Sequence, residues 1–152
     1  MNGLAMSDGT RRLRETTREQ AMRRLASVPV GRIGFTSRAL PAIRPVTHLI
    51  DNGHVIIRSD DGSAIVNAAS SERGAVVAYE ADDIDVSSGS GWSVLVVGLA
   101  RLIEDPEEAA RYRQELRSLV PGETGSVIRI YPELISGFDL ATHNHQDPST
   151  AR

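Results

Sequence analysis

Trp92-Ser93-Val94-Leu95-Val96-Val97-Gly98-Leu99-Ala100-Arg101-Leu102-Ile103 is the longest strand pattern in the sequence. Trp92, Val94, Val96, Gly98 and Ala100 share one face at period two, and Leu95, Val97 and Leu99 share the other. Both faces are apolar, so neither can look into water along its length. One face is expected to line a barrel interior. The other is expected to meet a helix or a second copy of the chain, which makes a homodimer the expected assembly.

The segments on either side extend the pattern. Gly74–Glu80 reads as a strand, and Asp82–Gly91, acidic and rich in serine and glycine, reads as a surface loop. Downstream, Pro106 opens a helix at about Glu107–Leu119, with Glu107 and Glu108 at the positive end of its dipole and Pro121-Gly122 ending it. Ser126–Tyr131 is a further strand, and Ile135–Leu140 a short one after it. Upstream, Val30–Thr36, Ala39–Ile50 and His54–Ser59 are strand-like. Pro41 and Pro45 steer the second of these to an edge or bulge. Asp51-Asn52-Gly53 marks a hairpin, because Asn-Gly accepts the positive φ of a type I′ turn. Asp60-Asp61-Gly62 is another turn, after which Ser63 caps a short helix through Ile65, Val66 and Ala69. Thr17 and Gln20 form a capping-box pattern before a helix from about Arg18 to Ser27. Short strands broken by turns, with few helices, predict a mainly β fold with peripheral α elements, a mostly antiparallel barrel. Residues 1–15 read as a flexible N-terminal tail, 16–141 as one domain, and 142–152 as a disordered C-terminal tail.

Composition narrows the chemistry. The 152 residues suit one domain, and the net charge of −3 offers no basic face for nucleic acid. No apolar run reaches the roughly 18 residues that span a bilayer, and residues 1–15 have no signal-peptide core, so a cytoplasmic protein with no membrane partner is expected. There is no cysteine, which excludes thiolate nucleophiles and cysteine-held metals. All 17 Lys+Arg residues are arginine, so no lysine Schiff base can form. No glycine-rich dinucleotide fingerprint, phosphate-binding P-loop or nucleophile elbow is present. His143 and His145 read as solvated tail residues, His54 as exposed, and His48 as a structural strand histidine.

Three segments carry the candidate site: Arg44-Pro45-Val46-Thr47-His48-Leu49, then Arg58-Ser59-Asp60-Asp61-Gly62-Ser63, then Gly91-Trp92-Ser93-Val94. A hairpin joins the first two, so Arg44 and Arg58 can approach one another. Their planar, permanently charged forks suit phosphate oxygens, and the Ser63 hydroxyl adds a donor at a helix start. Pairing of these arginines with Asp51, Asp60 and Asp61 is the competing reading.

At these segments the sequence resembles the flavin-binding split-barrel family related to pyridoxamine 5′-phosphate oxidase, in particular its small actinobacterial branch. The likeness runs from Gln20 through Leu140 and rests on Ser27-Val28-Pro29-Val30-Gly31-Arg32-Ile33-Gly34-Phe35, Ile43-Arg44-Pro45-Val46, Gly62-Ser63 and Gly91–Ala100. The resemblance implies a six-stranded antiparallel split β-barrel of FMN-binding type, a homodimer, and FMN or a related cofactor at the subunit interface. FAD and deazaflavin F420 are the related flavins, and haem held through His48 is a further alternative. It implies an oxidoreductase acting on a small-molecule redox substrate, with a non-catalytic flavin or haem store or sensor as the alternative. It places Arg44, Pro45, Val46 and Thr47 along the ring and phosphate, Arg58, Ser59 and Ser63 at ring or phosphate, and Trp92 and Ser93 near the flavin. Two positions depart from it: Ala64 and Leu49 stand where relatives carry basic residues, which leaves Arg73 as a substitute countercharge. The C-terminal region also lacks the tryptophan and arginine that family oxidases use to hold flavin and substrate.

Overall fold

The structure is a computed structural model that describes residues 11–116 and 125–142. In chain order its elements are β1 (Arg11–Glu15), α1 (Arg18–Ala26), β2 (Val30–Ser37), β3 (Leu40–Asp51), β4 (His54–Ser59), α2 (Ala64–Ala69), β5 (Ala75–Asp85), β6 (Ser90–Leu102), α3 (Pro106–Glu115) and β7 (Ser126–Thr142). The strands bond in the order β1-β7-β4-β3-β2-β5-β6, and β6 pairs back onto β7. Strands β2 to β7 therefore close an antiparallel six-stranded barrel of the split-barrel type, and β1 is a seventh strand added outside the ring.

Strand β1 corrects the expectation of a flexible tail over residues 1–15. Residues 11–15 pair with the end of β7, from Arg11↔Thr142 to Glu15↔Phe138. The segment shows no apolar period because backbone hydrogen bonds, rather than a buried face, hold it in place. Residues 1–10, 117–124 and 143–152 lie outside the described residues, and with them His143, His145, Pro121-Gly122 and the last residues expected of α3. The acidic stretch Asp82–Gly91 is also not a loop throughout. Strand β5 continues to Asp85 and β6 begins at Ser90, leaving a tight turn over 86–89. Asp83, Ile84 and Asp85 are exposed on both sides of the strand end, and Asp85 accepts from the Ser87 backbone N–H at 2.9 Å. The acidity that looked like a loop marks the exposed end of a strand and its turn.

The two strands expected over Ser126–Tyr131 and Ile135–Leu140 are one, β7. Pro132 interrupts the sequence pattern, and a bulge absorbs it: pairing passes from Val97↔Leu134 to Gly98↔Pro132, leaving Glu133 over. Gly98 is required there, since a Cβ would collide with the carbonyl oxygen of Tyr131.

The interior holds Leu25 of α1 with Ile33, Val55, Ile57, Tyr79, Val94, Val96 and Ile130 from the strands. Helix α1, opened by the Thr17–Gln20 capping box, thereby closes over the barrel. Strand β4 is apolar on both sides because Ile56 faces outward beneath α3, meeting Ala109, Tyr112 and Leu116. Strand β6 is different. Its Trp92–Ala100 face is buried, but among the described residues Leu95, Val97 and Leu99 of the other join no core cluster, and Leu95 is 40% exposed. Ile43, Gly34, Ala78, Val97 and Leu134 line up straight across five strands of that outer face. Ile43 and Leu134 are 66% and 67% exposed.

Candidate functional site

Strand β3 is longer than its partner. It pairs with β2 along Leu40–Thr47 but with β4 only from Thr47 to Asp51. Residues 40–46 therefore have a free edge on the β4 side, where Pro41 and Pro45 cost no ladder bond. Where β3 runs past β4, and α2 begins, a cavity of about 260 Å³ opens. The β3–β4 hairpin fixes its two main walls in register, Thr47 opposite Arg58, through the Asn52-Gly53 turn with φ of 54° and 78°.

Seven of the nine residues expected at the site line this cavity: Arg44, Pro45, Val46 and Thr47 from β3, Arg58 and Ser59 from β4, and Ser63 before α2. Sequence reading missed Phe35 and Ile65, which give the cavity an apolar wall; Asp60, from the second candidate segment, and Ala64 also line it. Phe35 was within reach, because it follows buried Ile33 at strand period.

The polar groups divide by role. The Arg44 guanidinium is exposed and donates at 3.1 Å to the carbonyl of Ile43, and among the described residues it meets no carboxylate. Of the three acids weighed as partners, Asp51 accepts from the Tyr112 hydroxyl at 2.5 Å and Asp61 from the Ser126 hydroxyl at 2.5 Å, while Asp60 lines the cavity itself. Arg58 is a positioning group as well as a lining one. Its Nη1 donates to the carbonyls of Arg113 and Leu116 at 3.1 and 3.2 Å, satisfying the end of α3. Ser59 and Ser63 join hydroxyls at 3.1 Å, and Ser63 caps α2 by accepting from the Val66 N–H. The Arg44 guanidinium beside the paired Ser59 and Ser63 hydroxyls makes a site for an anion with an apolar neighbour.

Trp92 and Ser93 do not line the cavity. Trp92 is packed in the barrel interior, and Ser93 lies in register between Asp82 and Phe138. Strand alternation gave their faces correctly but not which part of the ring they occupy. Of the departures, Leu49 packs against the cluster under α3, Ala64 is on the cavity rim, and Arg73 is not among the lining residues.

His48, through which haem was the alternative, has both ring nitrogens engaged within the protein. The ring is buried, Nε2 lies 2.7 Å from the carbonyl oxygen of Leu25, and Nδ1 meets the Tyr79 hydroxyl. With Nε2–H donating, Nδ1 is left to accept from Tyr79. Burial raises the Tyr79 phenol far above its usual range, so it stays a donor. Neither nitrogen is left for a metal.

Burial also lowers the His48 pKa below its ordinary 6.5. The unfolded chain thus takes up a proton at a pH where the folded barrel still resists it. Stability from this group is complete above about pH 6.5 and is lost as the pH falls toward the lower folded value, by at most about 1.4 kcal/mol per pH unit. Thermal midpoints at pH 7.5 and 5.5 should fall more for the wild type than for His48→Gln. An equal fall in both would remove His48 as the cause.

Against known families, the model described as pyridoxamine 5′-phosphate oxidase matches residues 17–138, and the chain belongs to that family. An uncharacterized protein of Mycobacterium tuberculosis is 46% identical over 138 residues, covering 90% of this chain and 91% of its own. Among solved structures, a candidate pyridoxamine 5′-phosphate oxidase of Corynebacterium glutamicum superposes with a TM-score of 0.70 at 26% identity, over 91% of this chain and 98% of the other. An FAD-binding protein of Mycobacterium smegmatis gives 0.65 at 30% identity, over 84% and 98%. Among the described residues no helix is long and apolar enough to cross a membrane, and no cluster of three or more potential metal ligands occurs.

Proposed function

We propose that this chain binds a flavin by its phosphoribityl arm and serves, as a cytoplasmic homodimer, in redox chemistry on a small molecule. The observation that carries the reading is Arg44: a guanidinium with no carboxylate partner among the described residues, at a cavity that also offers the Ser59 and Ser63 hydroxyls. Family membership and the resemblance to an FAD-binding protein at 30% identity support it. FMN is the smallest flavin that meets the requirement, and FAD and a deazaflavin carry the same arm.

A bound flavin would supply hydride or electron transfer, and the chain's own residues hold and orient it. Arg44, Ser59 and Ser63 would take the phosphate, Arg58 would keep its wall fixed to α3, and Phe35 and Val46 would keep water from the apolar side. Asp60 is the cavity's one carboxylate, and flavin redox chemistry requires no acid–base residue. Mass spectrometry of ligand released from the purified protein tests the reading. A flavin mass, with absorbance bleached by reduced nicotinamide or reduced deazaflavin, supports an oxidoreductase. A flavin that no reductant bleaches reduces the role to binding, and protein that neither carries nor takes up flavin refutes the proposal.

The dimer follows from the uncovered face of β6. Besides the row from Ile43 to Leu134, Val76 is 71% exposed on the same face. Arg32 lies beside the row but is already neutralised by Glu80 and Asp82, each at 2.8 Å. A contiguous apolar surface of this kind marks an interface, and a twofold pairing would bury it against itself. The double variant Val76→Glu with Leu134→Glu should therefore run as a folded monomer in light scattering. A monomeric wild type would refute this part.

A further inference from the structure

We propose that the hollow beside α3, at the far end of β4 from the flavin cavity, is a second binding site built for a small aromatic carboxylate. Strand β4 gives Arg58 and Ser59 to the flavin cavity and His54, at its other end, to this hollow. The two spaces share no lining residue, so this site stands or falls independently of the flavin reading. The β3–β4 hairpin, α3 and β7 border about 370 Å³ there, and every side chain around it is polar or aromatic.

The carboxylates of the hollow are engaged, and its outermost guanidinium is not. Asp51 accepts from the Tyr112 hydroxyl at 2.5 Å, and Glu108 pairs with Arg129 at 3.0 Å. Arg111 is exposed, and its guanidinium carbon lies 5.0 Å from the centroid of the Tyr112 ring. Among the described residues no carboxylate pairs with it. Contact with a ring steadies a guanidinium and leaves its N–H fork able to take an oxyanion. The His54 ring is steadied in the same way, T-shaped against Tyr131 with centroids 4.8 Å apart. Among the described residues neither its nitrogens nor the exposed Asn52 amide of the hairpin turn enters a side-chain hydrogen bond. What remains open is chiefly donor capacity, which an oxyanion fills.

Charge and shape narrow the ligand. Asp51 and Glu108 in the wall oppose a dianion, so a singly charged carboxylate, planar enough to meet the fork bidentately, suits the hollow better than a phosphate. Tyr131 is 36% exposed, and with His54 it offers the rest of an aromatic acid a ring surface to pack on.

The test follows the His54 Cε1–H resonance of the full-length protein by NMR, assigned from its loss in His54→Gln. Benzoate, acetate and inorganic phosphate are titrated separately at about pH 8, where phosphate is mainly a dianion. Benzoate should give a saturable shift. Arg111→Gln, a surface change that strands no buried charge, should weaken benzoate about tenfold, the worth of one charge-assisted hydrogen bond. Acetate, which lacks the ring, and phosphate should each bind more weakly than benzoate. No saturable shift, or equal benzoate affinity in Arg111→Gln, would overturn the site. Acetate or phosphate matching benzoate would overturn the ligand class.

Discussion

Replacing Arg44 with alanine is expected to weaken flavin binding by one to two orders of magnitude while the apoprotein keeps its thermal midpoint. Two physical facts separate these effects. The side chain is exposed and forms no ion pair among the described residues, so removing it strands no buried charge. Its one hydrogen bond, to the neighbouring Ile43 carbonyl, leaves that oxygen open to water. Against a phosphate, the same guanidinium would make charge-assisted bonds worth about 1.5–3 kcal/mol, roughly 10- to 150-fold in affinity. Ser63→Ala makes a less clean companion, since the hydroxyl also caps α2 and its loss costs about 1 kcal/mol of stability. Isothermal titration of both variants beside wild type, with melting curves on the same samples, gives the comparison. Unchanged affinity in both would remove the site from this cavity.

The second large effect is structural. Gly98→Val should destabilise the barrel by about 3 kcal/mol or more, enough to abolish cooperative unfolding in a domain of ordinary stability. The added Cβ would run into main chain, the Tyr131 carbonyl and the Pro132 Cα, not into a side chain that could swing aside. Relief requires β6 and β7 to part at the bulge where they close the ring. Gly98→Ala already carries the offending carbon, so it should be damaged nearly as much. Urea unfolding followed by circular dichroism reads both, and a midpoint near wild type for Gly98→Ala would contradict the close approach.

The fold was largely legible because its signals are local. The Thr17 capping box, Ser63 cap, Asn52-Gly53 turn and Pro106 helix start each act through neighbours in sequence, and each stands where it was expected. The two-sided β6 pattern foretold a barrel wall. What sequence hid depends on distant partners. Strand β1 exists only because the end of β7 offers it an edge, Glu133 is bulged only because Gly98 lies opposite, and Asp82–Asp85 are strand only because β6 returns alongside. The site shows the same division. The hairpin brought Arg44 and Arg58 together as spacing implied, whereas the bonds from Arg58 to the α3 carbonyls and the removal of Trp92 from the cavity required the closed ring.

Strand β7 hydrogen-bonds to β4, β6 and β1, and it is the last strand among the described residues. On the ribosome, then, β2 to β6 emerge as an open curved sheet with two bare rims. Only when residues 126–142 have cleared the exit tunnel can both rims be sealed at once, so the barrel cannot close before its seventh strand is made. A nascent chain stalled before that point would present sticky edges to chaperones or to neighbouring copies.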